Sequence, residues 1–211
     1  MQVEIWSDVI CPWCYIGKRR LEMALAGFAR RESVQLIWRS FELDPDAPRQ
    51  LQGTLEELLA HKYRVSPQEA AAMNARVTAI AKGVGLDYRL AGARPGNTFD
   101  AHRLLHFADS MQLGERATER MMHAYFSESL PVGDKAALAR LAPEFGIGES
   151  DALAMLESDA WAKEVRADEA RAAAFGITAV PHFLFDGKEA VSGAQSVEVF
   201  AKALRQAAKG T

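Results

Sequence analysis

The sequence predicts an α/β protein in which one sheet domain is assembled from the two ends of the chain and interrupted by a large all-helical insertion. Three observations predict it. A strand–helix–strand pattern opens the chain, the middle is helical for over a hundred residues, and a period of two returns near the C-terminal end. The predicted boundaries are residues 1–43 and 159–211 for the discontinuous sheet domain and 44–158 for the insertion.

Val3 to Ser7 reads as a buried strand and Asp8-Val9-Ile10 as the turn after it. The helix that follows, Tyr15 to Phe28, offers Ile16, Leu21, Leu25 and Phe28 as core contacts. Lys18, Arg19 and Arg20 read as a solvated face. Val34 to Phe41, rich in β-formers, completes a βαβ unit with a right-handed crossover. Asp44-Pro45-Asp46-Ala47-Pro48 then breaks the chain.

Within the insertion, Thr54 with Glu57 and Ser66 with Glu69 form two capping boxes, the second with Pro67 at the first helical position. Met73, Val77, Ile80 and Val84 share one helical face. Asn97 is placed to cap a helix containing Ala101, Leu104, Leu105 and Ala108. Further helices are expected over Glu115–Glu128, over Lys135–Phe145 and in a short run to Glu157. Ser158 opens a charged helix ending at Gly176. Pro181–Phe185 and Glu189–Ser192 then read as strands joined by an Asp186-Gly187 turn, and Ser196 caps a last amphipathic helix with Val197, Phe200, Ala201 and Leu204 on one side.

Composition narrows the function. Of the 211 residues 49% are hydrophobic and 25% charged, with a net charge of −3, which is ordinary for a globular protein and gives no basic footprint for nucleic acid or an anionic membrane. The opening Met1-Gln2-Val3-Glu4 shows neither the basic nor the apolar stretch of a signal peptide, so the expected compartment is the cytoplasm. There a cysteine pair serves catalysis, redox sensing or metal binding more often than structure.

The chain has two cysteines, in Cys11-Pro12-Trp13-Cys14, between the first strand and the first helix. Cys-x-x-Cys in that context is the sequence form of a thioredoxin-like redox site. Backbone N–H groups and the positive end of the helix dipole favour thiolate there. Cys11, the outer sulfur, is the expected nucleophile. Cys14, one turn in, is placed to resolve a mixed disulfide. Pro12 and Trp13 shape the site, Trp13 being the side chain expected over the substrate. Asp8 either tunes the thiolate or closes a turn. A second chemistry fits the same pair: His102 and His106, four apart on a helix, could complete a Cys2His2 zinc site.

Val180-Pro181 is the other constellation. A proline opening a strand cannot donate a sheet hydrogen bond, and a cis bond there would leave the Val180 backbone free to pair with an extended peptide.

With these features in hand the chain resembles the DsbA/FrnE-like branch of the thioredoxin superfamily. The resemblance is carried by Ser7-Asp8-Val9-Ile10-Cys11-Pro12-Trp13-Cys14-Tyr15-Ile16-Gly17, Asn97-Thr98-Phe99-Asp100-Ala101-His102-Arg103, Gly176-Ile177-Thr178-Ala179-Val180-Pro181 and Ser192-Gly193-Ala194-Gln195. It implies a thioredoxin-like fold with a helical insertion, a catalytic dithiol, a cis-proline beside it, protein disulfide oxidoreductase or isomerase activity, and no bound metal. The implied partners are disulfide-containing proteins or peptides, or a small thiol such as glutathione, in a monomer or homodimer. Asn97, His102, Arg103, Gln195 and Ser196 are the further candidates for substrate or glutathione contacts. The related kappa-class glutathione transferases and 2-hydroxychromene-2-carboxylate isomerases typically carry serine where this chain has Cys11. A glutathione-dependent isomerase or transferase is the alternative enzyme, and a non-catalytic zinc- or peptide-binding module the alternative outside enzymes.

Overall fold

The computed structural model describes residues 1–209. The chain divides into two compact units. Met1–Leu43 and the chain from Glu164 onward form the first, and Asp44–Lys163 the second. The return crossing therefore falls inside a helix rather than at the Ser158–Asp159 junction.

The first unit holds a four-stranded mixed sheet of order β2-β1-β3-β4, built from β1 (Gln2–Ser7), β2 (Gln35–Ser40), β3 (His182–Phe185) and β4 (Glu189–Ser192). β1 pairs parallel to β2, Val3 with Leu36 and Ser7 with Ser40, and antiparallel to β3, Ile5 with Phe183 and Trp6 with His182. The parallel pair is connected by α1 (Pro12–Ala26). β3 and β4 form a hairpin in which Asp186 and Gly187 both have positive φ and the Lys188 N–H bonds to the Phe185 carbonyl, so Asp186 tolerates and Gly187 suits the left-handed turn positions.

Side chains alternate across β1. Val3 and Ile5 face a core with Phe183, Phe185, Leu21 of α1 and Phe200 and Leu204 of α9 (Val197–Ala207). Trp6 faces the opposite way, toward Leu184, Ile177 and Ala172, the last on α8 (Ala162–Ala174). Glu4, on that same side, is 7% exposed and bound by two arginines. Arg171 of α8 grips both its oxygens at 2.9 and 2.7 Å, and Arg39 of β2 donates at 3.0 Å. Arg39 also reaches Asp168 at 2.9 Å, whose other oxygen accepts the Ser40 N–H at 3.0 Å. The arginines hold the Glu4 carboxyl below the ordinary glutamate range, Arg171 contributing most, against the opposing effect of burial.

The second unit contains α2 (Leu55–Tyr63), α3 (Pro67–Lys82), α4 (Phe99–Ser110), α5 (Gly114–Glu128), α6 (Lys135–Leu141) and α7 (Glu149–Glu157). Both capping boxes are present in full, at Thr54–Glu57 and Ser66–Glu69. The buried face of α3 is Ala70, Asn74, Val77 and Ala81; of the expected stripe Val77 lies on it, Ile80 and Val84 are half-buried, and Met73 is exposed. α8 begins at Ala162 rather than Ser158. The Ser158 hydroxyl instead donates to the Met155 carbonyl at 2.7 Å and accepts the Ala160 N–H at 3.1 Å, while Trp161 turns the chain at φ +64°.

Candidate functional site: a dithiol at a helix N-terminus

Strand β1 ends at Ser7, and a tight turn closed by the Cys11 N–H on the Asp8 carbonyl (3.1 Å) brings the chain into α1. Cys11 is the N-cap residue, with extended backbone (φ −82°, ψ 113°), and Pro12 occupies the first helical position, where no N–H partner is needed. The Cys14 N–H bonds back to the Cys11 carbonyl at 3.0 Å, so the two cysteines span the first helical turn. Both are free thiols and both are buried, Cys11 at 4% and Cys14 at 1% exposure. Trp13, between them, is 40% exposed. It supplies an apolar surface beside sulfurs that are otherwise covered.

The two thiols are not equivalent. Burial pushes Cys14 well above the usual thiol range, and the hydrogen bond and charge of Cys11 push it further. The Asp8 backbone and the Ser7 hydroxyl act in the other direction. Cys14 is therefore the sulfur that keeps its proton, and the groups that ease its ionisation come from the end of β1.

Cys11 Sγ points at the Val180 carbonyl, 3.7 Å away. The Val180–Pro181 peptide bond is cis, Pro181 is buried, and the Pro181 carbonyl accepts the Gly193 N–H at 2.8 Å. Segments far apart in sequence thus meet at one sulfur. The Asp8 carboxylate is fully buried and takes the Ile10 N–H at 3.4 Å and the Leu43 N–H at 2.8 Å. These bonds tie the loops after β1 and β2 together, so Asp8 fixes the turn that carries Cys11.

The remaining candidates are placed differently. Arg103 of α4 is 3% exposed and its guanidinium is enclosed. It donates to the carbonyls of Ala160 (2.8 Å), Leu156 (3.3 Å), Met155 (3.0 Å) and Ser158, and to Asp100 at 2.7 Å. These are the last carbonyls of α7 and the turn beyond it, so Arg103 caps the C-terminal end of that helix. His102 is buried in the helical unit, and His106 stacks parallel to Trp161 at 6.5 Å. Among the described residues no group of three or more His, Cys, Asp or Glu side chains is placed to hold a metal ion.

Asn97 stands one residue ahead of the N-cap position of α4, which is Thr98. Its Oδ1 accepts the Phe99 N–H at 3.0 Å and its Nδ2 donates to the Pro45 carbonyl at 3.1 Å. Gln195 donates to the Ser192 carbonyl at 2.9 Å. Ser196 is at the N-cap of α9, but its hydroxyl bonds the Glu198 carboxylate, which lowers that glutamate's pKa, rather than a helix amide.

Three residues near the dithiol escaped the sequence reading. Lys18, expected on a solvated face, is 3% exposed and pairs with Glu22 one turn on. Ser7 reads as the end of the first strand and the start of the segment that carries the resemblance, and neither shows that its side chain acts on Cys14. Gly17 interrupts α1 internally, where glycine costs about 1 kcal/mol relative to alanine, and that cost was itself the clue.

A dithiol at a helix N-terminus, on a sheet of order β2-β1-β3-β4 with a helical unit inserted, defines a thioredoxin-fold protein with a redox-type site. Residues 2–205 match the DSBA-like thioredoxin domain, and the chain belongs to that family of thiol oxidoreductases. It is similar over its whole length to the probable DsbA oxidoreductase SCO1869 of Streptomyces coelicolor, with 42% identity, 91% of that chain covered and a TM-score of 0.96. It is 28% identical over 207 residues to the uncharacterised protein YwbO of Bacillus subtilis, covering 97% of this chain and 96% of that protein. The cytosolic disulfide reductase DsbM of Pseudomonas aeruginosa, at 16% identity, 99% and 100% coverage and a TM-score of 0.66, shares the fold. No helix of the described residues is long and apolar enough to cross a membrane.

Proposed function

We propose that the protein exchanges disulfides with a protein or peptide substrate through Cys11 and Cys14. The observation that carries this reading is the asymmetric pair. Cys11 lies at the helix N-cap with its sulfur 3.7 Å from the Val180 carbonyl, and Cys14 sits behind it with its proton retained by burial.

Written for a reduced enzyme, the Cys11 thiolate attacks one sulfur of the substrate disulfide. The bond between the substrate sulfurs breaks, one substrate sulfur leaves as thiolate, and a Cys11–substrate disulfide forms. Cys14 then gives up its proton and attacks Cys11. The mixed disulfide breaks, the second substrate sulfur takes the electron pair, and the Cys14 proton balances one of the two leaving thiolates. The enzyme is left oxidised and the substrate reduced; the reverse sequence introduces a disulfide. The Val180 backbone holds an extended substrate segment beside Cys11 in strand fashion, and Trp13 offers it apolar cover. Because Cys14 must ionise before it attacks, the second step speeds up as pH rises into and above the ordinary thiol range.

We place this activity in the cytoplasm, the compartment named for DsbM, and glutathione, named with that protein, is the first small thiol to test as the recycling partner. The test is a pair of variants. Cys14→Ser accumulates mixed disulfides through Cys11, detected by non-reducing electrophoresis and mass spectrometry. Cys11→Ser is inactive in insulin reduction. Wild-type turnover by Cys11→Ser overturns the assignment.

A further inference from the structure

Gly17 lies inside α1, six residues after Cys11, at a position where alanine would be the better helix former. The space around it explains the glycine. A Cβ at this position would stand 3.0 Å from Cγ of Pro181 and 3.1 Å from Cζ of Phe183. Neither neighbour can yield easily. Pro181 is a rigid ring whose own carbonyl is held by the Gly193 N–H at 2.8 Å. Phe183 is fully buried, paired across the sheet with Ile5, and set edge-on against Phe200 with ring centroids 4.7 Å apart. An added methyl therefore has to push α1 away from the segment that begins at Val180.

From this geometry we infer that Gly17 is a positioning residue: its bare backbone seats α1 against Pro181 and so sets the gap between Cys11 Sγ and the Val180 backbone. The inference rests on the proposed dithiol exchange, in which a peptide must pair with Val180 and present its disulfide to Cys11 at once. A small aromatic disulfide needs only Cys11. The two substrate types therefore report on the gap and on the thiol separately.

The experiment compares Gly17→Ala with wild type on a disulfide-containing peptide and on 5,5′-dithiobis(2-nitrobenzoate), with the fold of the variant checked by circular dichroism. The expected result is a loss of about tenfold in kcat/KM for the peptide, mostly in KM, with the small disulfide reacting within about twofold of wild type. Gly17→Ser, of similar bulk, gives the same pattern. Wild-type kinetics on both substrates overturns the positioning role, and so does an equal loss on both, which would mean general damage to the site. If wild type itself exchanges with neither disulfide, or Cys11→Ser still exchanges, it is the dithiol reading that fails and not the account of Gly17.

Discussion

Two segments of this chain, Ser7–Gly17 and Asn97–Arg103, carry equally dense runs of polar and special residues, and the structure uses them in opposite ways. In the second, polar atoms face inward to hold the chain. Arg103 makes five hydrogen bonds to carbonyl and carboxylate oxygens of its own unit, and Asn97 bonds with both ends of its amide. In the first, the supporting residues are engaged, Asp8 with two loop amides, while the Cys11 sulfur has a long 3.7 Å contact to one backbone carbonyl. A site is marked by reactive atoms whose bonds are weak enough to exchange, supported by neighbours whose bonds are not.

That contrast can be broken by mutation. The largest effect is expected at Arg103. Arg103→Ala leaves the α7 carbonyls and Asp100 without their buried donor and should cost about 3–5 kcal/mol in urea denaturation. Arg103→Lys recovers less than half, because an ammonium cannot span the same oxygens. Alkylation of Cys11 in the folded variant stays at the wild-type rate. A stable Arg103→Ala protein that has lost its thiol reactivity would erase the distinction between the two segments.

Glu4 sharpens it next, since this strand residue is scaffold within the unit that holds the dithiol. Its folded pKa is depressed by Arg171 and Arg39. Its stabilising contribution is therefore present above the ordinary value of 4.5 and fades as pH falls through the lower folded value. Glu4→Gln should cost about 2 kcal/mol at pH 7, and the gap to wild type should close as pH falls below the ordinary value of 4.5 and through the lower folded value. A gap that stays constant over that range removes the ion pairs as its cause. The smallest change is expected for Asn97→Ala, about 1 kcal/mol from the lost Phe99 amide bond, with insulin reduction within about twofold of wild type. Asn97→Asp, which keeps the acceptor, recovers most of the loss.

Local signals were legible in the sequence wherever one residue type does one thing. The capping boxes, the Asp186-Gly187 turn, the βαβ opening and the dithiol at the start of α1 all declare themselves in neighbouring residues. The face of α3 did not, because buried alanines carry no hydrophobic signature and Met73 offers a false one. The role of Arg103 was hidden because the four carbonyls it binds lie more than fifty positions away along the chain. The burial of Lys18 likewise followed from packing and not from its charged neighbours. Gly17 lay within the segment that carried the family resemblance, yet its purpose needed the position of Pro181, more than 160 residues later.

The pairing of β1 with β3 has a consequence for how the protein comes into being. Both sulfurs leave the ribosome with the first strand and helix, yet Val180 and the strand that flanks β1 on its second side follow only after the helical unit has been made. Until then β1 has a partner on one edge alone, and the thiols stand at a half-built sheet. Closing a ladder of such sequence separation is slow compared with forming the helices between. A nascent chain therefore holds reactive sulfur for a time without the backbone that would select what it reacts with, and selectivity arrives only once Val180 and β3 have been made.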